Sequence, residues 1–219
     1  MSLNKNLWEE LKQKSSNGDP DAQNDLAMWY EEGYNNKEFI IEKNLVKAAY
    51  WYLQSAKSGN PESQDAISRL LSLGQGVVLD IAKAKEWALK SIEQGNSTAA
   101  YNLGTIYRDQ SNFEKAFEYY SLALKMGNKS ALLQIGLCYY YGIGTASDYA
   151  KANKLFEQLT NEEQIAEREI DEANYYIGLA YLNGNGQDKS IQAARKHFLL
   201  ANKDEDHEQA SLILNLIGR

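Results

Sequence analysis

The chain has 219 residues and a net charge of −7, and its lysines and arginines form no cluster or stripe. Binding to a nucleic-acid backbone or to an anionic membrane surface is therefore not expected, because both partners require concentrated positive charge. No apolar run reaches the length of a transmembrane helix, and a single cysteine, Cys138, rules out a disulfide within the chain. We expect a cytoplasmic protein, unless the opening Met-Ser-Leu is a cloning remnant that replaced a native leader.

The chain begins with an amphipathic segment. Apolar residues recur at helical spacing over residues 3–16, which predicts one helix that ends at Gly18, a residue suited to a left-handed cap. Asp19 and Pro20 then supply an N-cap and a proline at the first helical position, so a second helix is expected to begin there. We expect the helix at 3–16 to cover the N-terminal end of a longer array of helices.

From residue 19 onward, one pattern recurs along the chain. It consists of a first helix with an alanine, a Leu/Ile-Gly pair and a tyrosine, then a Gly-x-Gly turn, then a second helix opened by Lys-Ala and closed by Gly-Asn. The five predicted repeats span about residues 19–60, 61–96, 97–128, 129–160 and 172–203. A last helix at 205–217 is expected to cover the C-terminal end.

The Lys-Ala pairs give the period of this pattern. Lys47, Lys83, Lys115 and Lys151 are 36, 32 and 36 residues apart, and the short step coincides with a missing Gly-x-Gly turn. The fifth repeat comes later because of extra charged residues at 161–172, which we expect to extend a helix. A period in the thirties with two helices per unit predicts an α-solenoid.

Two stretches carry the pattern most completely, residues 131–144 for its first half and 74–96 for its second half. They resemble the Sel1-like repeat, a branch of the tetratricopeptide-type helical hairpins, and the resemblance extends over about residues 18–202. It implies an all-α fold, a right-handed α-α superhelical solenoid of about five hairpins with terminal capping helices, as a single domain over 1–219. Such proteins are interaction scaffolds or adaptors, often bacterial, so the resemblance also implies a non-enzymatic protein that binds a protein or peptide in its concave groove.

The expected binding positions also follow from this resemblance, because the first helix of each tetratricopeptide-type hairpin lines the concave face. In the first two repeats these positions are mostly acidic and polar, whereas in the last three they are largely aromatic and aliphatic. The partner-binding residues expected on this basis are Tyr101, Arg108, Leu133, Leu137, Tyr140, Tyr141, Tyr175, Leu179 and Leu182. Aromatic anchors concentrate binding energy, and Arg108 could hold a carboxylate. The alternative is that Leu133, Leu137 and Leu179 pack against neighbouring helices.

The sequence predicts no catalytic residue, cofactor or metal site. The Gly-x-Gly elements lack the preceding strand and the third glycine of a dinucleotide fingerprint, so we interpret them as turns. His197 and His207 have no partners at ligand spacing, and Cys138 is interpreted as a small buried residue. An alternative function is a binder of cell-wall fragments or another small ligand, or a hydrolase, as among secreted Sel1-like proteins. It is disfavoured because those proteins carry a cysteine pair in each repeat, and the oligomeric state stays open.

Overall fold

The computed structural model describes residues 5–36, 39–163 and 165–218, which form twelve α-helices and one short antiparallel ladder. The helices are α1 (Lys5–Ser16), α2 (Pro20–Glu32), α3 (Leu45–Lys57), α4 (Pro61–Leu73), α5 (Ile81–Glu93), α6 (Ser97–Asp109), α7 (Phe113–Lys125), α8 (Ala131–Tyr141), α9 (Tyr149–Thr160), α10 (Glu167–Asn183), α11 (Ile191–Ala201) and α12 (Glu208–Leu216). The strands β1 (Tyr34–Asn35) and β2 (Ile40–Ile41) pair between α2 and α3. The predicted all-α class is confirmed. Residues 3 and 4 of the predicted N-terminal helix lie outside the described residues.

The chain divides into two compact units. The first unit ends at Ile106 and the second begins at Tyr107, so the division falls within α6. In the first unit α2 packs on α3, α3 on α4 and α4 on α5, and in the second α8 packs on α9, α9 on α10 and α10 on α11. We call α2, α4, α6, α8 and α10 the first helices and α3, α5, α7, α9 and α11 the second helices. Helices adjacent in sequence thus stabilise each unit, as in other repeat proteins.

Each second helix begins with the same side-chain cap. The carboxylate of Asp80 accepts a hydrogen bond from the backbone N–H of Lys83 at 3.0 Å, and Asp148 accepts one from Lys151 at 3.0 Å. Equivalent caps are made by Asn44, Asn112 and Ser190. The sequence pattern suggested that the lysine is the first residue of its helix. It is instead the third residue. It recurs together with a cap that satisfies a backbone donor left free at the helix start.

The helices of a hairpin approach closely at a small residue on the first helix. A Cβ atom on Gly136 would lie 2.4 Å from the Cε1 atom of Phe156, and one on Gly178 would lie 2.7 Å from the same atom of Phe198. Both phenylalanines are fully buried on the second helices α9 and α11. The glycine of the repeated Leu/Ile-Gly pair thus leaves room for the aromatic ring of the second helix, because it has no side chain there.

The Gly-x-Gly turn joins one repeat to the preceding one. Gly142 and Gly144 have φ values of 69° and 70°, which glycine adopts without strain. A Cβ atom on Gly144 would lie 2.1 Å from the carbonyl oxygen of Phe113, and one on Gly76 would lie 2.1 Å from that of Leu45. The second glycine therefore touches the start of the previous second helix, a role that the interpretation as a turn did not include.

Helices α10 and α12 lie where the sequence departs from the regular repeat, before the fifth repeat and after it. The extra residues before the fifth repeat lengthen α10 to 17 residues, so the expected helix extension is confirmed. The last helix begins at Glu208 instead of 205, because Nδ1 of His207 accepts a hydrogen bond from the backbone N–H of Ala210 and caps it. None of the described helices has both the length and the apolar character that crossing a bilayer requires.

Candidate functional site

Seven of the nine expected binding residues lie on α8 and α10 of the second unit, but they differ widely in exposure. Leu133 and Tyr140 are only 7% and 9% exposed and belong to the core between α8, α9 and α10. Packing was the alternative for Leu133, Leu137 and Leu179: Leu133 is buried in this core, and the other two pack against it. The side chains of Leu137, Tyr175, Leu179 and Leu182 are partly buried. Tyr141 is 56% exposed and is the most accessible of the seven.

The other two expected residues lie on α6. Arg108 is exposed, and its Nε and Nη2 atoms donate to one carboxylate oxygen of Asp109 at 3.0 and 2.9 Å. The guanidinium that was expected to hold a partner's carboxylate is thus bound to the neighbouring side chain. Tyr101 is half-buried and belongs to the first unit.

A cluster of tyrosines joins the first helices of the second unit. The hydroxyl of Tyr141 on α8 lies 3.0 Å from the hydroxyl of Tyr176 on α10. The ring of Tyr176 is stacked on Phe156 at 5.3 Å and meets Tyr140 edge-on at 5.0 Å. Burial raises the pKa of Tyr176, and the hydrogen bond with Tyr141 acts in the same direction. The buried ring and the shared hydroxyl contact hold Tyr141 in place while its own ring stays accessible.

The cluster continues toward α12 through Tyr175. Its ring lies 4.8 Å from the imidazole of His207 and 5.9 Å from the ring of Phe198. The Nε2 atom of His207 lies 3.6 Å from the carboxylate of Glu172, one turn before Tyr175 on α10. Burial raises the pKa of Tyr175, with smaller contributions from Tyr141 and Glu172. We call the surface formed by Tyr141, Tyr175 and Glu172 the tyrosine face.

Sequence reasoning missed Tyr176 and His207 as members of this site. Tyr176 was overlooked because it follows Tyr175 directly, and a repeat pattern assigns a helix position without showing which neighbour lies across it. His207 was assessed only as a metal ligand or catalyst, whereas its imidazole caps α12. The helix predicted at 205–217 included His207, so no sequence signal marked it as a cap; only the observed start at Glu208 shows this role.

The polar positions on the first helices of the first unit bind one another. The guanidinium of Arg69 on α4 donates to Glu31 on α2 at 2.6 Å, and the hydroxyl of Tyr52 donates to the same carboxylate at 2.9 Å. The amide of Asn102 on α6 donates to both carboxylate oxygens of Asp65 at 3.0 and 3.1 Å. Burial raises the pKa of Asp65. These groups connect neighbouring helices, so fewer of them remain for a partner.

The residues considered for chemistry are packed. Cys138 is buried, as expected, and burial raises the pKa of its thiol to about 11, so the nucleophilic thiolate is scarce at neutral pH. The ring of His197 is stacked on Tyr181 at 5.7 Å, and its Nδ1 lies 3.0 Å from the side-chain oxygen of Asn174. Burial lowers the pKa of this imidazole. In the described part of the chain, no three side chains of His, Cys, Asp or Glu are placed to hold a metal ion.

Comparison with known proteins agrees with the repeat pattern. The profile of the Sel1 repeat matches five segments, residues 20–60, 61–96, 97–128, 129–161 and 171–206. The chain is 27% identical over 123 residues to the ERAD-associated E3 ubiquitin-protein ligase component HRD3 of Candida glabrata, which covers 52% of this chain and only 15% of that protein. It is 27% identical over 176 residues to the Sel1-repeat-containing protein YjcO of Escherichia coli K12, which covers 76% of this chain and 70% of that protein.

A solved structure shows the same fold. The protective antigen c5321 of uropathogenic Escherichia coli displays an SLR fold, and it matches with a TM-score of 0.74 at 24% identity over 89% of this chain and 40% of that chain. The predicted solenoid fold is thereby confirmed. Because the five matched segments together cover most of the sequence, the chain belongs to the Sel1 repeat family.

Proposed function

We propose that this chain is a non-enzymatic interaction scaffold that holds a segment of a partner protein against the tyrosine face. Sel1 repeats generally serve as protein-interaction scaffolds, and the relative HRD3 is, by its name, a component of a ubiquitin-protein ligase. The tyrosine face supports this role because its side chains lie on the first helices, where hairpins of this type accept their partners. Partner binding requires no chemistry from the protein, only a surface of fixed shape.

The proposal rests on the exposure and the fixed hydroxyl of Tyr141. Its side chain is 56% exposed, yet its hydroxyl is held 3.0 Å from that of the buried Tyr176. An exposed aromatic ring with a fixed hydroxyl loses little conformational freedom on binding, and tyrosines of this kind are frequent hot spots in protein interfaces. Tyr141 is therefore the anchor that we expect a partner to cover.

Affinity capture with two matched variants tests the proposal. The wild-type chain, Tyr141→Ala and Tyr50→Ala would be immobilised and exposed to lysate of the source organism, and captured proteins would be quantified by mass spectrometry. Tyr50 is a suitable control because it is also 56% exposed but lies on the second helix α3 of the first unit. We expect proteins captured by the wild type to be lost with Tyr141→Ala and kept with Tyr50→Ala. Equal capture by all three folded proteins would exclude the tyrosine face as the binding surface.

A further inference from the structure

We infer that the segment held at the tyrosine face is cationic, with a lysine or arginine side chain placed against Tyr141 and Tyr175 beside the carboxylate of Glu172. This assignment rests on the proposed function, because it names the class of partner for the same surface. Three properties of the second unit lead to it: the aromatic rings, the carboxylates that accompany Glu172, and the lack, among the described residues, of a lysine or arginine over the ring of Tyr141.

The aromatic part of the site is of the type that binds cations elsewhere in this chain. The ammonium of Lys151 lies 5.2 Å from the ring centroid of Tyr139, and that of Lys47 lies 5.1 Å from the ring centroid of Tyr30. The negative face of an aromatic ring attracts a cation at such distances. Within the described residues, no lysine or arginine lies over the ring of Tyr141 in the same way. The third residue of a second helix thus supplies a cation to Tyr30 and Tyr139, whereas the exposed ring of Tyr141 has no such lysine over it among the described residues.

Glu172 is preceded on α10 by Asp171, which belongs to a cluster of carboxylates. Asp171 and Glu172 lie on α10, and the connection from α11 to α12 brings Asp204 and Asp206 toward Asp171. Burial raises the pKa of Asp171, Lys203 opposes this effect, and the charges of Glu167, Asp206 and Asp204 raise the pKa further. Like charges held together in this way repel one another, so a bound cation would lower the energy of the cluster.

The stability of α10 does not require a carboxylate at Glu172. Acidic residues in the first turn of α10 are stabilised by the positive end of the helix dipole, but Glu172 lies beyond that turn, where the effect has faded. The Nε2 atom of His207 lies 3.6 Å from the carboxylate of Glu172, and its Nδ1 accepts the hydrogen bond that caps α12. At 3.6 Å the contact between the two side chains is longer than an ordinary hydrogen bond, so it leaves the carboxylate of Glu172 able to accept a stronger donor.

Charge complementarity therefore favours a basic partner over the other occupants of such a surface. An acidic segment would bring like charge toward Glu172 and Asp171, which costs energy at close range. A second copy of this chain carries a net charge of −7 and is disfavoured for the same reason. A purely apolar segment would cover Tyr141 but would leave Glu172 without a partner in a less hydrated surrounding.

A displayed library of random peptides tests this assignment without a known partner. The library would be selected on the wild-type chain, and the enriched peptides would be synthesised and their Kd values measured by fluorescence anisotropy. We expect enrichment of lysine and arginine next to an aromatic or aliphatic residue. Replacing the peptide's key lysine by the neutral norleucine is expected to weaken binding about tenfold. Raising the salt concentration should also weaken binding, because salt screens the charges.

Two variants of the protein locate the cation. Glu172→Gln is expected to weaken the same peptides about five- to tenfold. Glu62→Gln is the matched control, because Glu62 holds the same repeat position on α4 of the first unit, and it should leave the Kd unchanged. Unchanged thermal unfolding of both variants would show that each remains folded.

The possible outcomes separate the assignment from the proposed function. Enriched peptides that carry no basic residue, but lose affinity with Tyr141→Ala, would overturn the cationic partner and leave the binding surface standing. A library without enriched peptides, or binding that ignores Tyr141→Ala, would overturn both. Self-association in sedimentation velocity that Tyr141→Ala abolishes would identify a second copy as the occupant and likewise overturn the cationic partner.

Discussion

The ring of Phe156 occupies the space above the backbone of Gly136, where a Cβ atom would lie only 2.4 Å from its Cε1 atom. The contact joins the first and second helices of the fourth repeat, and Phe156 is fully buried. A real Cβ atom requires a larger separation, so the glycine determines how closely α8 and α9 approach. The same relation between Gly178 and Phe198 in the fifth repeat shows that it belongs to the repeat pattern.

Gly136→Ala is expected to destabilise the protein despite the higher helix propensity of alanine. The added methyl group forces the Phe156 ring or the helix backbone to move, which in packed cores costs about 1–3 kcal/mol. Urea unfolding followed by circular dichroism would measure the loss. Because Phe156→Leu removes the colliding ring atoms, the double variant should lose less stability than the sum of the single variants. Strict additivity would show that the ring is not the cause.

Gly144→Ala is expected to be more harmful than the same change at a glycine that also has a positive φ but free surroundings. A Cβ atom at Gly144 would meet the Phe113 carbonyl oxygen at 2.1 Å, and a backbone atom cannot turn away as a side chain can. Gly127 has a φ of 98° and no atom within 4 Å of such a Cβ, so Gly127→Ala costs only the backbone strain, about 1–2 kcal/mol. Unfolding free energies of the two variants isolate the contact between repeats. Equal losses of unfolding free energy would mean that Gly144 is needed only for its positive φ in the turn and not for the contact with Phe113.

The sequence predicted the parts of the fold that depend on local pattern. The alanines and aliphatic residues of the first helices, such as Ala131 and Ile135, repeat at the expected positions and are buried. The edge of the buried face could not be predicted in this way. Tyr140 and Tyr141 are consecutive, so their side chains point about 100° apart around α8. Which of them stays exposed depends on how closely α9 and α10 approach α8. The residue pattern of a single helix gives no information about the distance between helices.

Acid is expected to remove a part of the stability that depends on the helix caps. The ammonium of Lys83 and then its backbone N–H hold the pKa of Asp80 below its ordinary value of 3.8. For the lowered pKa of Asp148 the backbone N–H of Lys151 has the larger effect, followed by its ammonium. A lowered pKa in the folded state stabilises the protein above the ordinary pKa, and this contribution is lost as the pH falls through the lowered value.

The double variant Asp80→Asn and Asp148→Asn tests this pH dependence. Asparagine can still cap a helix, as Asn44 does, so the change removes the charge and keeps the backbone hydrogen bond. We expect the variant to be less stable than the wild type at about pH 7, and the difference to shrink as the pH falls below 3.8 and through the lowered pKa values of Asp80 and Asp148. The difference between the two proteins cancels the opposite effect of buried groups such as Asp65, whose pKa is raised. A difference in urea unfolding that stays constant down to acidic pH would contradict the expectation.

The neighbouring tyrosines of α8 are expected to separate stability from binding. Tyr140 is 9% exposed and contacts Tyr149 and Tyr176, so Tyr140→Ala should cost about 3–5 kcal/mol, as for other large buried aromatics. Tyr141→Ala removes a half-exposed ring, its edge contacts with Tyr140 and Tyr176 and one hydroxyl contact, so its cost should stay at about 1–2 kcal/mol. Urea unfolding of both variants, with Tyr50→Ala as the exposed control, would measure these losses. If Tyr141→Ala unfolded as readily as Tyr140→Ala, Tyr141 would be part of the core, and its loss could not be used to assign a binding surface.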